Sequence, residues 1–255
     1  MNSPSRYARE IHGQLDYHAT WLPNSRLELG DVGEQGKAGF TRKSSLADLG
    51  LAFTTRRGRD RLDFTKTSSS GVTFKAGAAA ELGAGAAAVG AGQLSIELGE
   101  EGAWLFRAVN CREDQIGDRL GLGKAVLDLY KSGMWDAKWR IVDTIVRAES
   151  ATIVVSNSLK ASLTLSAKSP LALTSLANLD AGIAVSAQQG DLLHIVAQKG
   201  LSPLFKLVGV KHSIITKLLR GDPTFAGAAS PQAAGEDPIG VSDDEDPFER
   251  VTPDG

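Results

Sequence analysis

Between Thr152 and Ala167 the chain alternates polar and apolar residues for sixteen positions. The odd positions Ile153, Val155, Leu159, Ala161, Leu163, Leu165 and Ala167 are apolar, broken by Asn157 alone. The even positions Thr152, Ser156, Ser158, Lys160, Ser162, Thr164 and Ser166 are polar, broken by Val154 alone. A period of two means an extended strand with one apolar and one wet face. Ordinary strands run about five or six residues. This one would reach roughly 50 Å at about 3.3 Å per residue. A strand crossing a bilayer in a barrel needs only about ten tilted residues. The pattern therefore predicts either a long soluble ribbon or a strand built to enter lipid.

The surroundings are those of a globular chain. It has 255 residues, 42% hydrophobic and 23% charged, which fits one or two domains with a sizeable core. A single cysteine, Cys111, leaves no internal disulfide framework and no cysteine zinc cluster, and suits a reducing cytosol. The N-terminal MNSPSRYAREIHGQ has no apolar core and does not read as a secretory signal. No run of eighteen apolar residues predicts a membrane-spanning helix. The expectation is a chain made in soluble form.

Charge divides it. Residues 221–255 hold nine acids and one base, Arg250, leaving 27 bases against 21 acids in the rest: a body of +6 and a tail of −8 within a net −2. Five prolines and acid runs mark that stretch as linker and tail. It reads as a solubilising segment or as a mask over a basic body. The expected organisation is a strand-rich body over 1–219 and an acidic Pro/Gly-rich tail over 220–255.

Along the body, helical spacing predicts helices over 5–15, 118–131 and 212–220. Strands are expected at 18–22, 26–32, 71–76, 94–98, 104–109, 141–148, 181–187, 192–197 and 204–210, with 152–167 as one long strand. Of the seventeen residues from Ala76 to Gly92, nine are Ala and five Gly, so the stretch is apolar with little side chain to pack. The sum is an α+β chain dominated by strands.

Chemistry is scarce. His12, His18, His194 and His212 show no metal spacing. The glycines Gly83, Gly85, Gly90 and Gly92 miss the dinucleotide fingerprint, and no P-loop or nucleophile elbow occurs. No catalytic, cofactor or metal site is expected, and the chain does not read as an enzyme. Cys111 reads as a buried bystander thiol, and Trp135 and Trp139 as core. Lys37, Arg42, Lys43, Arg56, Arg57, Arg59, Arg61 and Lys66 stand against only Asp48, Asp60 and Asp63. Such a cluster suits anionic lipid, where each base near the surface adds about 1 kcal/mol, or simply a solvated loop. Aromatics for base stacking are missing, so nucleic acid is not the expected partner.

In order and pattern the chain resembles the gasdermins, and more closely their bacterial forms. Three stretches carry the likeness: SSSGVTFKAGAAAELGAGAAAVGAGQLSIEL, then WRIVDTIVRAESATIVVSNSLKASLTLSA, then PLFKLVGVKHS followed by a short tail. The resemblance implies a twisted, mostly antiparallel sheet with peripheral helices, like a gasdermin N-domain, plus a C-terminal tail. It implies a soluble, autoinhibited cytoplasmic precursor that needs no cofactor. An activating protease would cut between Leu219 and Ala234. The freed body would form a homo-oligomeric pore in the inner membrane, killing the cell in antiphage defence. The membrane-entering strands would hold Val72, Phe74, Leu94, Ile96 and Leu98 in one hairpin. Ile153, Val155, Leu159, Leu163 and Leu165 would lie in the other, from Thr144–Ala167 with a neighbour. Arg42, Lys43, Arg56, Arg57, Arg59 and Arg61 would meet anionic lipid. Bacterial members carry a lipid-modified cysteine near the N-terminus; residues 1–10 here hold none, and lipidation stays open. The alternative is a soluble β-rich binding or scaffold protein with a long amphipathic hairpin and no membrane activity.

Overall fold

The computed structural model describes residues 3–20, 27–36, 39–76, 93–167, 183–219 and 246–252. The Gly/Ala stretch 77–92 and all but the first residue of the expected cleavage region lie outside them. In chain order the elements are α1 (Ser3–Leu15), β1 (His18–Ala19), β2 (Asp31–Gly36), β3 (Gly39–Ser45), β4 (Thr55–Arg57), β5 (Leu62–Thr67), β6 (Val72–Ala76) and β7 (Gln93–Leu98). Then come β8 (Trp104–Ile116), α2 (Arg119–Lys131), β9 (Trp139–Arg147), β10 (Ser150–Ser156), β11 (Ala161–Ser166) and β12 (Ala184–Gln189). Last are β13 (Leu192–Lys199), β14 (Leu204–Val210), α3 (His212–Leu219) and β15 (Phe248–Arg250). The described residues form an eleven-stranded sheet on the path β1-β14-β9-β8-β10-β13 and a four-stranded sheet ordered β12-β11-β7-β6. Pairing is antiparallel, so the class is α+β, as expected.

β8 organises the large sheet. Its first half pairs with β10 on one side and β5 on the other. Its second half pairs with β9 and β4. Asn110, with φ 51°, sits where the partners change, in the left-handed region that asparagine tolerates best among residues other than glycine. Its amide is satisfied by Asp63 Oδ1 at 2.8 Å.

Two layers cover the sheet around β8 and β10. On one face α1 presents Tyr7 and Ile11 to Trp104, Phe106, Ile153 and Val155. On the other, Leu105 and Val154 meet the small sheet. β10 is buried at all seven positions, so Val154, the apolar residue on the expected wet face, has a partner. Farther along, α2 and α3 pack Val126, Leu127, Ile214 and Ile215 against Ile141 and Val208. Asp118 starts α2 by accepting the Gly121 amide at 2.9 Å, satisfying one of the donors a helix start leaves open.

The sixteen-residue strand is not continuous. It breaks at Asn157 into β10 and β11, which lie in different sheets. Serine and asparagine supply the break. The Ser156 hydroxyl donates to the Ser158 carbonyl at 2.7 Å, the Ser158 hydroxyl to the Lys160 carbonyl at 3.2 Å, and the Asn157 amide to the Asp191 carbonyl at 2.9 Å. Such side-chain partners compete with the ladder. Other differences are smaller. The strand expected at 104–109 runs on to Ile116, the strand expected at 26–32 is displaced to Asp31–Gly36, and the basic stretch forms β4 and β5 along β8. No described helix is long and apolar enough to cross a membrane, which says nothing of strands.

Trp104 joins α1 to the sheet. Its ring meets Tyr7 edge-on at 5.4 Å, and its indole N–H donates to Glu10 Oε2 at 3.2 Å. Replacing it by alanine should cost about 3–5 kcal/mol, read as a fall in the urea midpoint with the slope unchanged.

Candidate functional site

The small sheet is the large sheet continued and folded back. β5, β8, β10 and β13 are neighbours in that order in the large sheet; β6, β7, β11 and β12 hold the same order in the small one. Each small-sheet strand is joined to its counterpart by a short connector: 68–71, 99–103, 157–160 and 190–191. In the central pair the register is shared. The β10–β8 pairs run from Ser150↔Val109 to Val155↔Trp104, and the β11–β7 pairs from Ala161↔Leu98 to Ser166↔Gln93. Ser156–Lys160 and Gly99–Ala103, the stretches between, are equal in length. Straightened, the two segments would pair without a slip from Ser150↔Val109 to Ser166↔Gln93. The outer strands do not match so closely: across the bend the β6–β7 register differs by two residues from that of β5–β8, and β12–β11 by three from β13–β10. At the last connector Gly190, with φ 78°, holds a turn in which a Cβ would fall 2.5 Å from the Lys160 carbonyl oxygen.

This arrangement sorts the residues expected to enter a membrane. Val72, Phe74, Leu94, Ile96, Leu98, Leu163 and Leu165 meet in one cluster on the small sheet's inner face. Ile153 and Val155 instead face α1, and Leu159 lies in the bend, 72% exposed. Within the expected unit Thr144–Ala167, β11 has β12 as its neighbour, paired Ser162↔Gln189 to Ser166↔Ala184. No residue of β12 was among those expected to enter a membrane; Val185 there lies opposite Leu165 and is 38% exposed. Thr73, Lys75, Ser95, Glu97, Ser162 and Thr164 occupy the outer face. Lys75 and Glu97 pair across strands at 2.7 Å.

Arg56 and Arg57 on β4, and Arg59 and Arg61 just beyond, are exposed along one edge of β8. Arg42 and Lys43 are exposed on β3, where Arg42 is occupied by Asp31 at 2.7 Å and Asp48 at 3.4 Å. Cys111 is buried, and burial pushes its thiol up to about 12. Trp135 is buried and meets Trp139 edge-on at 5.4 Å. No group of three or more His, Cys, Asp or Glu that could hold a metal occurs among the described residues.

The tail contributes a docked strand. β15 pairs with β14 through Val208↔Arg250, Gly209↔Glu249 and Val210↔Phe248, while β1 pairs with β14 at Leu204 and Phe205. Phe248 enters the α2–α3 core and Val251 the cluster around Phe205. Arg119, at the start of α2, bonds both the buried Asp143 and the tail's Asp246 at 2.9 Å and lies over the Phe248 ring. Arg250 reaches Asp16 at 3.0 Å. The His18 ring nitrogen Nε2 bonds the Val251 carbonyl at 2.8 Å. The tail's composition hid this strand; the sign of it is Phe248 and Val251 standing in an acidic run.

No protein-family model matches the chain, and no curated protein is similar to it. Among solved structures it overlaps a cryo-EM structure of the gasdermin A3 membrane pore, at 9% identity, 83% coverage of this chain, 91% of that one and a TM-score of 0.31.

Two tests address the docked strand. A Cβ on Gly123 of α2 falls 1.9 Å from the Pro247 ring. Gly123→Ala favours the helix by about 0.5–1 kcal/mol but overpacks against the tail by about 1–3 kcal/mol. The Val251 amide should exchange hydrogen roughly 5- to 150-fold faster, with α2 intact. Second, at His18 under the strand, burial holds the ring below its ordinary 6.5, with His12 acting the same way and the Val251 carbonyl and Asp16 opposing. The folded chain thus carries fewer protons on His18 than the unfolded one. The stability this contributes is complete above pH 6.5 and declines as pH falls from there through the depressed value. The urea midpoint should fall as pH drops from about 7 to about 5, and His18→Gln should flatten the response.

Proposed function

We propose that this chain is a soluble, autoinhibited precursor of a membrane pore, of the bacterial gasdermin kind its sequence resembles. The observation that carries the reading is the shared register across the bend. Sequence alternation runs from Thr152 to Ala167 with only Val154 and Asn157 out of phase, yet the resting chain folds at Asn157–Lys160. Alternation and register both describe a straight strand that the resting state does not use. Straightened, Ile153, Val155, Leu163 and Leu165 share one face. The hairpin regions Val72–Leu98 and Ala161–Gln189 each hold enough residues for two crossings of about ten. Strands in lipid must close into a barrel, so the active form is a homo-oligomer.

In this reading the tail, docked on β14, restrains the body until a protease cuts between Leu219 and Ala234. Arg56, Arg57, Arg59 and Arg61 draw the freed body to anionic lipid of the inner membrane. Permeabilisation kills the cell and limits phage spread. No catalytic step is involved.

The test is dye release from anionic liposomes. Chains ending between Leu219 and Ala234 should leak at micromolar protein, the full chain should not, and neutral lipid should suppress the effect. If no truncation leaks, the soluble scaffold reading takes its place. Leu163 is fully buried at rest, so charging it would unfold the precursor and decide nothing. Val185→Arg is better placed. It should leave the full chain's stability within about 0.5 kcal/mol, while an Arg on the lipid face costs about 2–4 kcal/mol per copy at the bilayer midplane. Leakage by truncated chains should fall at least about tenfold.

A further inference from the structure

We infer that α1 is the relay through which the tail governs the bend between the two sheets. One end of the helix meets the tail. Asp16, just past α1, accepts from Arg250 of β15 and from Lys206 of β14, each at 3.0 Å. The Asp16 amide closes onto the His12 carbonyl at 2.8 Å. His18, bonded to the Val251 carbonyl, packs its ring against that of His12 at 5.2 Å.

The other end of α1 grips two of the four connectors. Arg6 donates to the Ser70 hydroxyl at 3.0 Å, to Glu100 Oε2 at 3.1 Å and to the Glu101 carbonyl at 3.3 Å. Ser70 donates to the same Glu100 oxygen at 2.9 Å, which ties connector 68–71 to connector 99–103. Glu10 orients Arg6 at 2.8 Å and accepts the Ser69 amide at 3.1 Å. These partners span 59 to 95 residues of chain, so they exist only while the chain is folded.

Between its ends the helix is a rigid piece. Thirteen residues span about 20 Å, and Tyr7 and Ile11, fully buried, seat it on the large sheet. Removing β15 strips Arg250 from Asp16 and the carbonyl cover from His18, loosening the C-terminal seat. A rigid helix tilted at that end moves Arg6 and Glu10 off the connectors at the other. Arg6 and Glu10 are positioning residues: they hold the bend. That opening the connectors leads to a pore rests on the reading above; the coupling of tail to connectors does not, and it is measured without membrane.

The experiment is hydrogen exchange on the full chain bearing a site-specific protease sequence between Leu219 and Ala234, before and after cutting and removal of the tail peptide. The amides of Gly99, Gly102 and Ala103 should exchange faster after removal, by roughly 5- to 150-fold, the usual size of a coupling between two sites. In Arg6→Ala and in Glu10→Gln they should exchange fast already in the uncut chain, with Val251 still protected and little further response to cutting. The uncut Gly123→Ala chain, whose docking is weakened without a cut, should shift these amides in the same direction as cutting but less far. Connectors that ignore tail removal overturn the inference. So does an Arg6→Ala chain that keeps the wild-type response, which would place the coupling in the sheet itself. Lost liposome leakage with coupling intact would count against the pore alone.

Discussion

The ladder between β8 and β10 is the constraint on which the rest depends. It lies at the centre of the large sheet, and its register passes unchanged through the bend into the ladder between β7 and β11. Register is hard to alter, because a slip of one residue turns every side chain to the opposite face. Two ladders in one register are therefore parts of one longer ladder, interrupted rather than separately made. The interruption is local: a few serine and asparagine hydrogen bonds on one chain and the glycine-bearing stretch Gly99–Ala103 on the other. Each such bond is worth about 1 kcal/mol net, small beside the pairing that flanks it.

Folding the small sheet back gives its apolar face somewhere to go. Leu94, Ile96, Leu98, Leu163 and Leu165 are buried against Leu105 and Val154, at about 1.5–3 kcal/mol for each large side chain removed from water. A bilayer would bury the same face to similar effect, so hydrophobicity does not choose between the two states. Hydrogen bonding does. The path of the small sheet ends in β6 and β12, whose outer edges water can satisfy at rest. In lipid an unpaired edge costs several kcal/mol for each backbone group. On the proposed reading, one copy is stable folded back, and a copy inserted in lipid would need neighbours on both sides.

How far the sequence could be read follows from this geometry. Period two identifies a strand and its faces, and those hold locally: Ile153 and Val155 share a face, as do Leu163 and Leu165. It is silent about bends, because serine serves equally on the wet side of a strand and in a turn. Asn157, the one polar residue on the apolar side, stood at the break, and Val154, the one apolar residue on the polar side, marked two-sided burial. The strand β15 was hidden because composition averages over the tail, while docking needs only Phe248 and Val251. Arg6 and Glu10 could not be found from sequence at all, since their partners lie from about sixty to more than ninety residues away.

The strength of the tail's hold follows from what it touches. Three residues of ladder, buried Phe248 and Val251, the His18 bond to the Val251 carbonyl and two partly exposed ion pairs amount to a few kcal/mol, since such pairs contribute about 0–1 kcal/mol each. As a free peptide it would bind weakly. Tethered, it is presented at an effective concentration on the order of millimolar and stays bound. A cut anywhere in the stretch before Asp246 removes no contact of β15; it only makes the binding bimolecular. Dilution from millimolar to micromolar then shifts the balance by about 4 kcal/mol, comparable to everything β15 contributes. A weakly held strand on a tether is thus stable while the chain is whole and released once it is cut, and a tighter strand would lose the second property.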